Sequence, residues 1–332
     1  MSDLLKGLAG GNAAVLYAWI FPSALVLGAF WLFIFPELQD LRFAWRFADL
    51  SSTEQSGVFV GISAGLGVFL NAVSTPLYRV LEGYLLWPAC LRKRGVARQR
   101  AIKASLQPGQ GATGWLAELK LEKWSRFPDE DDEIAPTRLG NALRAFETYG
   151  SSRFELDSQT MWSELCAVIP KYLQDELDQS RASVDFFVAL VYLSIAFGVV
   201  SFVLGVIERR NGWILVWAVA ALLSSYLWYR LAVVASSYWA ATVQALVNIG
   251  RSKLATEMGL CLPDSIDAER EMWGLVTRFV FYGSVNEARQ LDPYRCKCKC
   301  NPDKEAADGA EPKPAVEVIS VALTETSDAP EL

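Results

Sequence analysis

Four long apolar blocks, separated by polar segments, set the hydrophobic pattern of this chain. They cover residues 14–36, 57–78, 184–207 and 213–235. Each block is about 22 to 24 residues long, which is enough for a helix to cross a hydrocarbon core of about 30 Å. The pattern therefore predicts four transmembrane helices, the last two joined by a tight turn.

The polar segments show helical periodicity and no alternation that demands a sheet. Short helices are predicted over residues 115–124 and 161–169, and another should begin after Thr137 as its N-cap and end at Gly150.

Two spans should also extend beyond the membrane as continuous helices. The third should begin near Lys171 and the fourth should reach Met258. A final helix over 267–281 should start at a cap at Asp264 or Ser265.

The pattern thus predicts an all-α membrane protein with an all-α cytosolic region and a disordered acidic C-terminal tail. Its parts are a first transmembrane pair (1–87), a cytosolic helical region (88–183), a transmembrane hairpin (184–236), a cytosolic helical extension (237–300) and the tail (301–332).

Basic residues follow the second span and predict the orientation. They are Arg92, Lys93, Arg94, Arg98, Arg100 and Lys103. By the positive-inside rule this loop is cytosolic. Four spans then place both termini on the cytosolic side of a bacterial plasma (inner) membrane. The same six side chains are predicted to touch anionic lipid headgroups.

Charge is uneven along the chain. The net charge is −6, but residues 301–332 hold eight acidic residues and two lysines, so the remainder is balanced. A balanced body gives no electrostatic reason to expect nucleic acid as a partner. The expected partners are the lipid bilayer, further copies of the chain and a cytosolic protein of unknown identity.

Histidine is absent from the sequence. Its absence excludes histidine metal ligands and histidine-based nucleophilic catalysis, so we expect no cofactor and a non-enzymatic protein. The GxGxxG match over residues 109–114 follows a basic helix rather than a strand, which favours a flexible turn. The GxSxG match over residues 61–65 lies inside a predicted span without a histidine base.

Small residues recur along the second span. Gly57, Gly61 and Gly65 are spaced four apart, and Ser63, Gly67 and Asn71 form a neighbouring row. Small residues let transmembrane helices approach closely. The rows are predicted to pack either against the other spans of the chain or against a second copy.

Ionisable and polar residues mark the ends of two spans. Arg79 and Glu82 lie three residues apart after the second span, and Arg230 ends the apolar part of the fourth. They act either as interface anchors or, for Glu82 and Arg230, as a coupling or gating pair. Asn71 is a further polar candidate within the second span.

A cysteine cluster precedes the acidic tail. Cys296, Cys298 and Cys300 alternate with lysines and are weak metal candidates, because a closed zinc site needs a fourth ligand such as Cys261. The alternative is a cluster of free thiols, and all six cysteines are expected to be reduced in the cytosol.

Two segments carry a resemblance: NAVSTPLYRVLEGYLLWP over residues 71–88, and RLGNALRAFETYG with DSQTMWSELCAVIP over residues 138–170. They resemble a group of bacterial multi-pass membrane proteins with TPLYRxLEGY and RLGNxLRAxE segments. Such proteins have Tyr-Gly-Leu/Ile where this chain has Phe154-Glu155-Leu156. The group has no established function, so the resemblance implies topology and no chemistry.

Three functions fit these features. The first is a non-enzymatic scaffold or signalling component that acts by assembling. The second is a homo-oligomeric channel or transporter subunit with the glycine-rich second span near the pore. The third, a membrane enzyme using a cysteine or a carboxylate, is the least favoured.

Overall fold

The structure is a computed structural model that describes residues 13–35, 50–107, 114–208, 212–283 and 285–296. The predicted tight turn at 209–211, most of the GxGxxG match, Cys298, Cys300 and the acidic tail lie outside these ranges.

The regular elements of the described residues are helices, and the only ladder contact among them is an isolated bridge between Leu260 and Arg295. The first helix, α1, comprises Ala13–Val15, a π-helical turn over Leu16–Ile20, and Phe21–Phe33. The others are α2 (Ser52–Ala72), α3 (Ser74–Glu82), α4 (Ala89–Ser105), α5 (Trp115–Trp124), α6 (Arg138–Glu147), α7 (Tyr149–Phe154), α8 (Trp162–Val168), α9 (Lys171–Glu208), α10 (Gly212–Glu257), α11 (Ile266–Tyr282) and α12 (Val285–Gln290), with a 3₁₀ turn at Asp292–Tyr294.

Four helices, α1, α2, α9 and α10, are long and apolar enough to cross a membrane. Large apolar side chains stand exposed on them, among them Leu32, Leu223 and Ile207, each 69% exposed. Such surface is typical of helices that face lipid. The prediction of an all-helical chain with four candidate spans is confirmed.

The second span differs from its predicted range of 57–78 at both ends. It begins earlier, at Ser52, because Ser51 and Glu54 form a capping box. It ends at Ala72, and α3 follows after a break at Val73. Pro76 accounts for the break, since a proline cannot donate a hydrogen bond to the carbonyl four residues earlier, and its ring clashes with that carbonyl.

The helices α9 and α10 pack along one another as an antiparallel pair. Gly198 and Gly205 permit the close approach, because a Cβ at either would lie 2.8 Å from a leucine side chain of α10. The helix α1 lies against this pair, where Phe33 stacks on Trp217 with 4.1 Å between ring centroids. The helix α2 packs on α1.

Both long helices run beyond their apolar stretches, as predicted, and carry a layer of shorter helices. The side chain of Thr137 caps α6 by accepting from the N–H of Gly140 at 3.0 Å. Ser265 caps α11 in the same way through Ala268. The predicted helix ending at Gly150 instead ends at Glu147, and Gly150 lies inside the separate helix α7.

An ion pair ties α10 to α11. Arg251 Nε lies 2.7 Å from Glu269 Oε1, and the Glu269 side chain is only 7% exposed. The guanidinium of Arg251 also lies 4.3 Å from the ring centroid of Phe154 in α7. Arg251 thus joins three helices. Removing either member of the pair would leave the other charge without a partner, so the contact favours this arrangement of the helices.

The residue after α7, Glu155, adopts a left-handed φ of 61°. Glycine tolerates this region best. Arg270 stabilises the glutamate here, with its Nη2 donating to Glu155 Oε1 at 2.7 Å.

The two rows of small residues on α2 should respond differently when a glycine gains a methyl group. A Cβ at Gly67 would lie 2.7 Å from the backbone of Ile20, whereas one at Gly61 meets nothing within 4 Å. We expect Gly67→Ala to lower the free energy of unfolding by about 1–3 kcal/mol through overpacking. Gly61→Ala should leave it unchanged or raise it by about 0.5–1 kcal/mol. Thermal unfolding of both variants in detergent checks this, and equal effects would contradict the assigned packing faces.

Candidate functional site

The two segments that carry the resemblance pack against one another at the end of α2. The hydroxyl of Thr137, before α6, donates to the carbonyl of Glu82 in α3 at 3.1 Å. Glycines make the approach possible: a Cβ at Gly83 would lie 2.3 Å from Pro136, and one at Gly140 would lie 2.8 Å from the Glu82 carbonyl oxygen. Gly83 also has a φ of +92°, which disfavours other residues there.

The same helix α3 is bonded to the membrane hairpin. The phenol of Tyr78 donates to Asp185 Oδ1 of α9 at 2.6 Å, and Arg181 lies 3.8 Å from the other carboxylate oxygen. Two turns further along α9, the phenol of Tyr192 donates to the Leu77 carbonyl at 2.7 Å. The helix α3 is therefore held between α6 and α9.

Four ionisable residues meet in this corner, and we refer to Arg79, Glu82, Arg144 and Glu147 as the junction cluster. They line a cavity of about 640 Å³ together with Tyr78 and other residues of α3, α6, α9 and α10. Arg144 pairs with Glu133 and lies 3.7 Å from Glu147. The indole N–H of Trp239 lines the same cavity, is buried and has no hydrogen-bond partner.

Burial controls the electrostatics of the junction cluster. It raises the pKa of Glu82 above its usual 4.5, and the negative charge of Glu147 adds to this shift. Burial likewise raises the pKa of Glu147, although the nearby Arg144 and Arg79 oppose it. The pKa of Tyr78 is well above its usual value because the phenol is buried and faces the Asp185 carboxylate.

This arrangement can exchange protons at two carboxyl groups of raised pKa, with two arginines balancing the charge of the ionised forms. Nothing in the junction cluster resembles a nucleophile paired with a base. Among the described residues, no group of three or more cysteine and acidic side chains is placed to hold a metal ion.

The proposed Glu82–Arg230 pair does not form. Arg230 lines a different cavity with Gln99, Arg126 and Arg138, and its Nη1 donates to the phenol of Tyr226 at 3.2 Å. Glu82 faces Arg79, Arg144 and Glu147 instead. The sequence did not reveal that Glu82 and Arg230 lie apart, because the break at Val73 changes the direction of α3.

The first glycine row of α2 faces outward. Gly57, Gly61 and Gly65 have open space where a side chain would be, whereas Gly67, Ser63 and Leu70 are buried on the opposite face of α2. Among the described residues, packing within the chain therefore involves Gly67 and not the row of three. Asn71 is also exposed near the end of α2.

The six basic residues predicted to meet lipid headgroups divide into two groups. Arg92, Lys93, Arg94 and Arg98 are exposed. In contrast, Lys103 is buried and lies 2.7 Å from Asp131, and Arg100 donates to the Asp131 carbonyl at 3.0 Å. The acidic loop 129–133 is thus bound by α4, which sequence separation concealed.

The cysteines also differ from expectation. Cys90 and Cys166 are free thiols, whereas Cys261 and Cys296 are each disulfide-bonded. The Cys296 sulfur is therefore not a thiolate ligand in this state.

Sequence reasoning missed Tyr78, Arg144, Glu147 and Asp185. Arg144 and Glu147 lie three residues apart in the RLGNALRAFE segment, and this helical spacing was the available signal. The α3 residues that meet them, Arg79 and Glu82, lie more than 60 positions away along the chain.

Comparison with known proteins returned no match: no protein-family model, no curated protein and no solved structure is significantly similar to this chain.

The raised pKa values of Glu82 and Glu147 predict a pH-dependent stability. A carboxyl with a raised folded-state pKa contributes stability fully below the unfolded value near 4.5, and that contribution is lost as pH rises through the folded value. Stability should therefore fall as the pH rises above about 4.5, and the double variant Glu82→Gln/Glu147→Gln should flatten this fall. Thermal unfolding in detergent across this range measures it, with exposed Glu130→Gln as control. An unchanged slope in the double variant would contradict the assignment.

Proposed function

We propose that this chain is a non-enzymatic membrane protein that acts by assembling with copies of itself through α2. The observation that carries the proposal is the outward row of Gly57, Gly61 and Gly65, whose Cβ positions meet no neighbouring atom within 4 Å among the described residues. Helices in lipid associate by close backbone approach at such rows.

The placement of α2 supports this role. Its buried residues form a narrow seam against α1, with Ser63, Gly67 and Leu70 buried, while the side bearing the glycine row is left uncovered. A helix that is covered on one side only can offer its other side, at the small glycine residues, to a second α2.

The helical layer beyond the membrane gives the assembly its second part. Helices α6, α8 and α11 are packed on α10 and its neighbours, so they form a surface rigidly joined to the spans. We propose that this layer lies on the cytosolic side of a bacterial inner membrane. The exposed Arg92, Lys93 and Arg94 at the start of α4 support this orientation. There it would hold a cytosolic protein partner, as a scaffold or signalling component.

Bulk added to the glycine row should dissolve the assembly. We expect wild type to have a discrete oligomeric mass in lipid nanodiscs, and Gly61→Leu to reduce that mass to the monomer. The added side chain overpacks the interface by about 1–3 kcal/mol, which weakens association by roughly 5- to 150-fold. Helix formation itself should improve, since glycine is a poor helix former.

The matched control is Ala196→Leu, which adds similar bulk at an exposed position of α9. Its mass should equal that of wild type. A monomeric wild type, or an oligomer that survives Gly61→Leu, would contradict assembly through α2.

A channel or transporter subunit is the second candidate, favoured by the ionisable cavity next to the end of α2. Arg79, Glu82 and Glu147 line that cavity, and Asn71 is exposed two residues before the break at Val73. Protonatable carboxylates at membrane depth are common in ion pathways.

Proton and cation flux into liposomes distinguishes the two candidates. Flux that is lost in Glu82→Gln and retained in Glu130→Gln would establish the transport function. Intact oligomers without flux would leave assembly as the function.

A further inference from the structure

A second cavity, of about 410 Å³, lies between α4, α5, α6 and α10. Its polar lining consists of Gln99, Lys123, Arg126, Arg138, Asn141 and Arg230, and none of the described residues that line it is acidic. We refer to this cavity as the basic pocket. One of the four cations, Arg126, is paired with Glu122, and the other three leave an excess of positive potential, which attracts an anion.

The charges in the basic pocket are only partly engaged. Arg126 Nη2 pairs with Glu122 at 2.6 Å, outside the lining of the pocket. Within the described part of the chain, Lys123 and Arg138 have no ion-pair partner. Arg138 stands in the first turn of α6, where the helix dipole also favours a negative charge.

Within the described ranges, two buried polar atoms of the basic pocket lack a hydrogen-bond partner. The Oε1 of Gln99 is unpaired although this residue is only 6% exposed, and the Nε of Arg126 is unpaired as well. A buried polar group without a partner destabilises the protein by about 1–3 kcal/mol, so such atoms call for a ligand. One is an acceptor and the other a donor, which fits a ligand bearing both a hydroxyl group and an anionic oxygen.

The location of the basic pocket identifies the kind of ligand. Arg230 follows directly on the apolar stretch of α10 that ends at Tyr229. On that helix, Leu223, Tyr226 and Leu227 are 69%, 62% and 53% exposed, and with Arg230 and Val234 they share the spacing of one helix face. The exposed apolar stripe thus leads from the membrane span into the cation-lined cavity.

We propose that the basic pocket binds the headgroup of an anionic phospholipid of the phosphatidylglycerol type. The phosphate is held by Arg138, Arg230 and Arg126, a glycerol hydroxyl donates to Gln99 Oε1, and the acyl chains lie along Leu223 and Leu227. Basic pockets at the membrane edge bind such headgroups in this way. This site is separate from the glycine row of α2 and does not depend on assembly.

Titration of the purified full-length chain with dioleoyl phosphatidylglycerol in neutral detergent, read by native mass spectrometry, tests the proposal. We expect one retained lipid per chain in wild type. Arg138→Gln and Arg230→Gln should each weaken binding about five-fold, and the double variant roughly 25-fold. Both side chains are exposed, so these changes should leave the melting temperature unaltered.

The matched control is Arg92→Gln/Lys93→Gln, which removes two exposed charges of α4 outside the basic pocket. It should retain the lipid. Equal loss in both double variants would reduce binding to general charge attraction and overturn the site. Equal retention of phosphatidylcholine would also overturn the site. Displacement of the lipid by millimolar glycerol phosphate would overturn it too, because the pocket would then bind a soluble phosphate compound.

Discussion

The close packing of α9 against α10 is the constraint on which the other elements depend. These helices have 38 and 46 residues, or about 57 and 69 Å at 1.5 Å per residue, against a hydrocarbon core of about 30 Å. One rigid pair therefore belongs to two environments at once. Its apolar half accepts α1, which in turn accepts α2. Its polar half accepts α6, α8 and α11, so the two layers share one frame and cannot move independently.

Charged groups collect where this frame leaves the apolar layer, and the two cavities there differ in balance. The junction cluster contains arginines and carboxylates, so its charges offset one another and burial is tolerated by shifting the protonation of Glu82 and Glu147. In the basic pocket, by contrast, every charged side chain of the described lining is a cation. The first arrangement is self-sufficient and responds to pH, whereas the second is completed by a ligand.

Local features were predictable from sequence because they depend on neighbouring residues. The spans follow from apolar length, the N-caps at Thr137 and Ser265 from side-chain chemistry, and the helix α5 from its bounds at Trp115 and Trp124. The end of α2 was missed although Pro76 signalled it, since an apolar run does not show where a helix breaks. Which glycine row faced inward was undecidable, because both rows have the same spacing and only Gly67 meets Ile20.

Cavities could not be predicted because they join residues from distant parts of the chain. The basic pocket combines Gln99 and Arg230, 131 positions apart by their numbers. Similarly, Lys103 was expected at a membrane surface and instead binds Asp131. Spacing along one helix does not show which other helix packs against it. The junction cluster and the basic pocket both depend on such long-range packing.

The break at Val73 gives the chain a joint of a single residue between a membrane helix and a fixed one. On one side α2 is attached by a narrow seam, and on the other α3 is bonded to both α6 and α9. A torque on α2 from a neighbouring molecule would therefore not spread through the whole span pair. It would be taken up at Val73, because α3, which carries Arg79 and Glu82, is bonded to both α6 and α9.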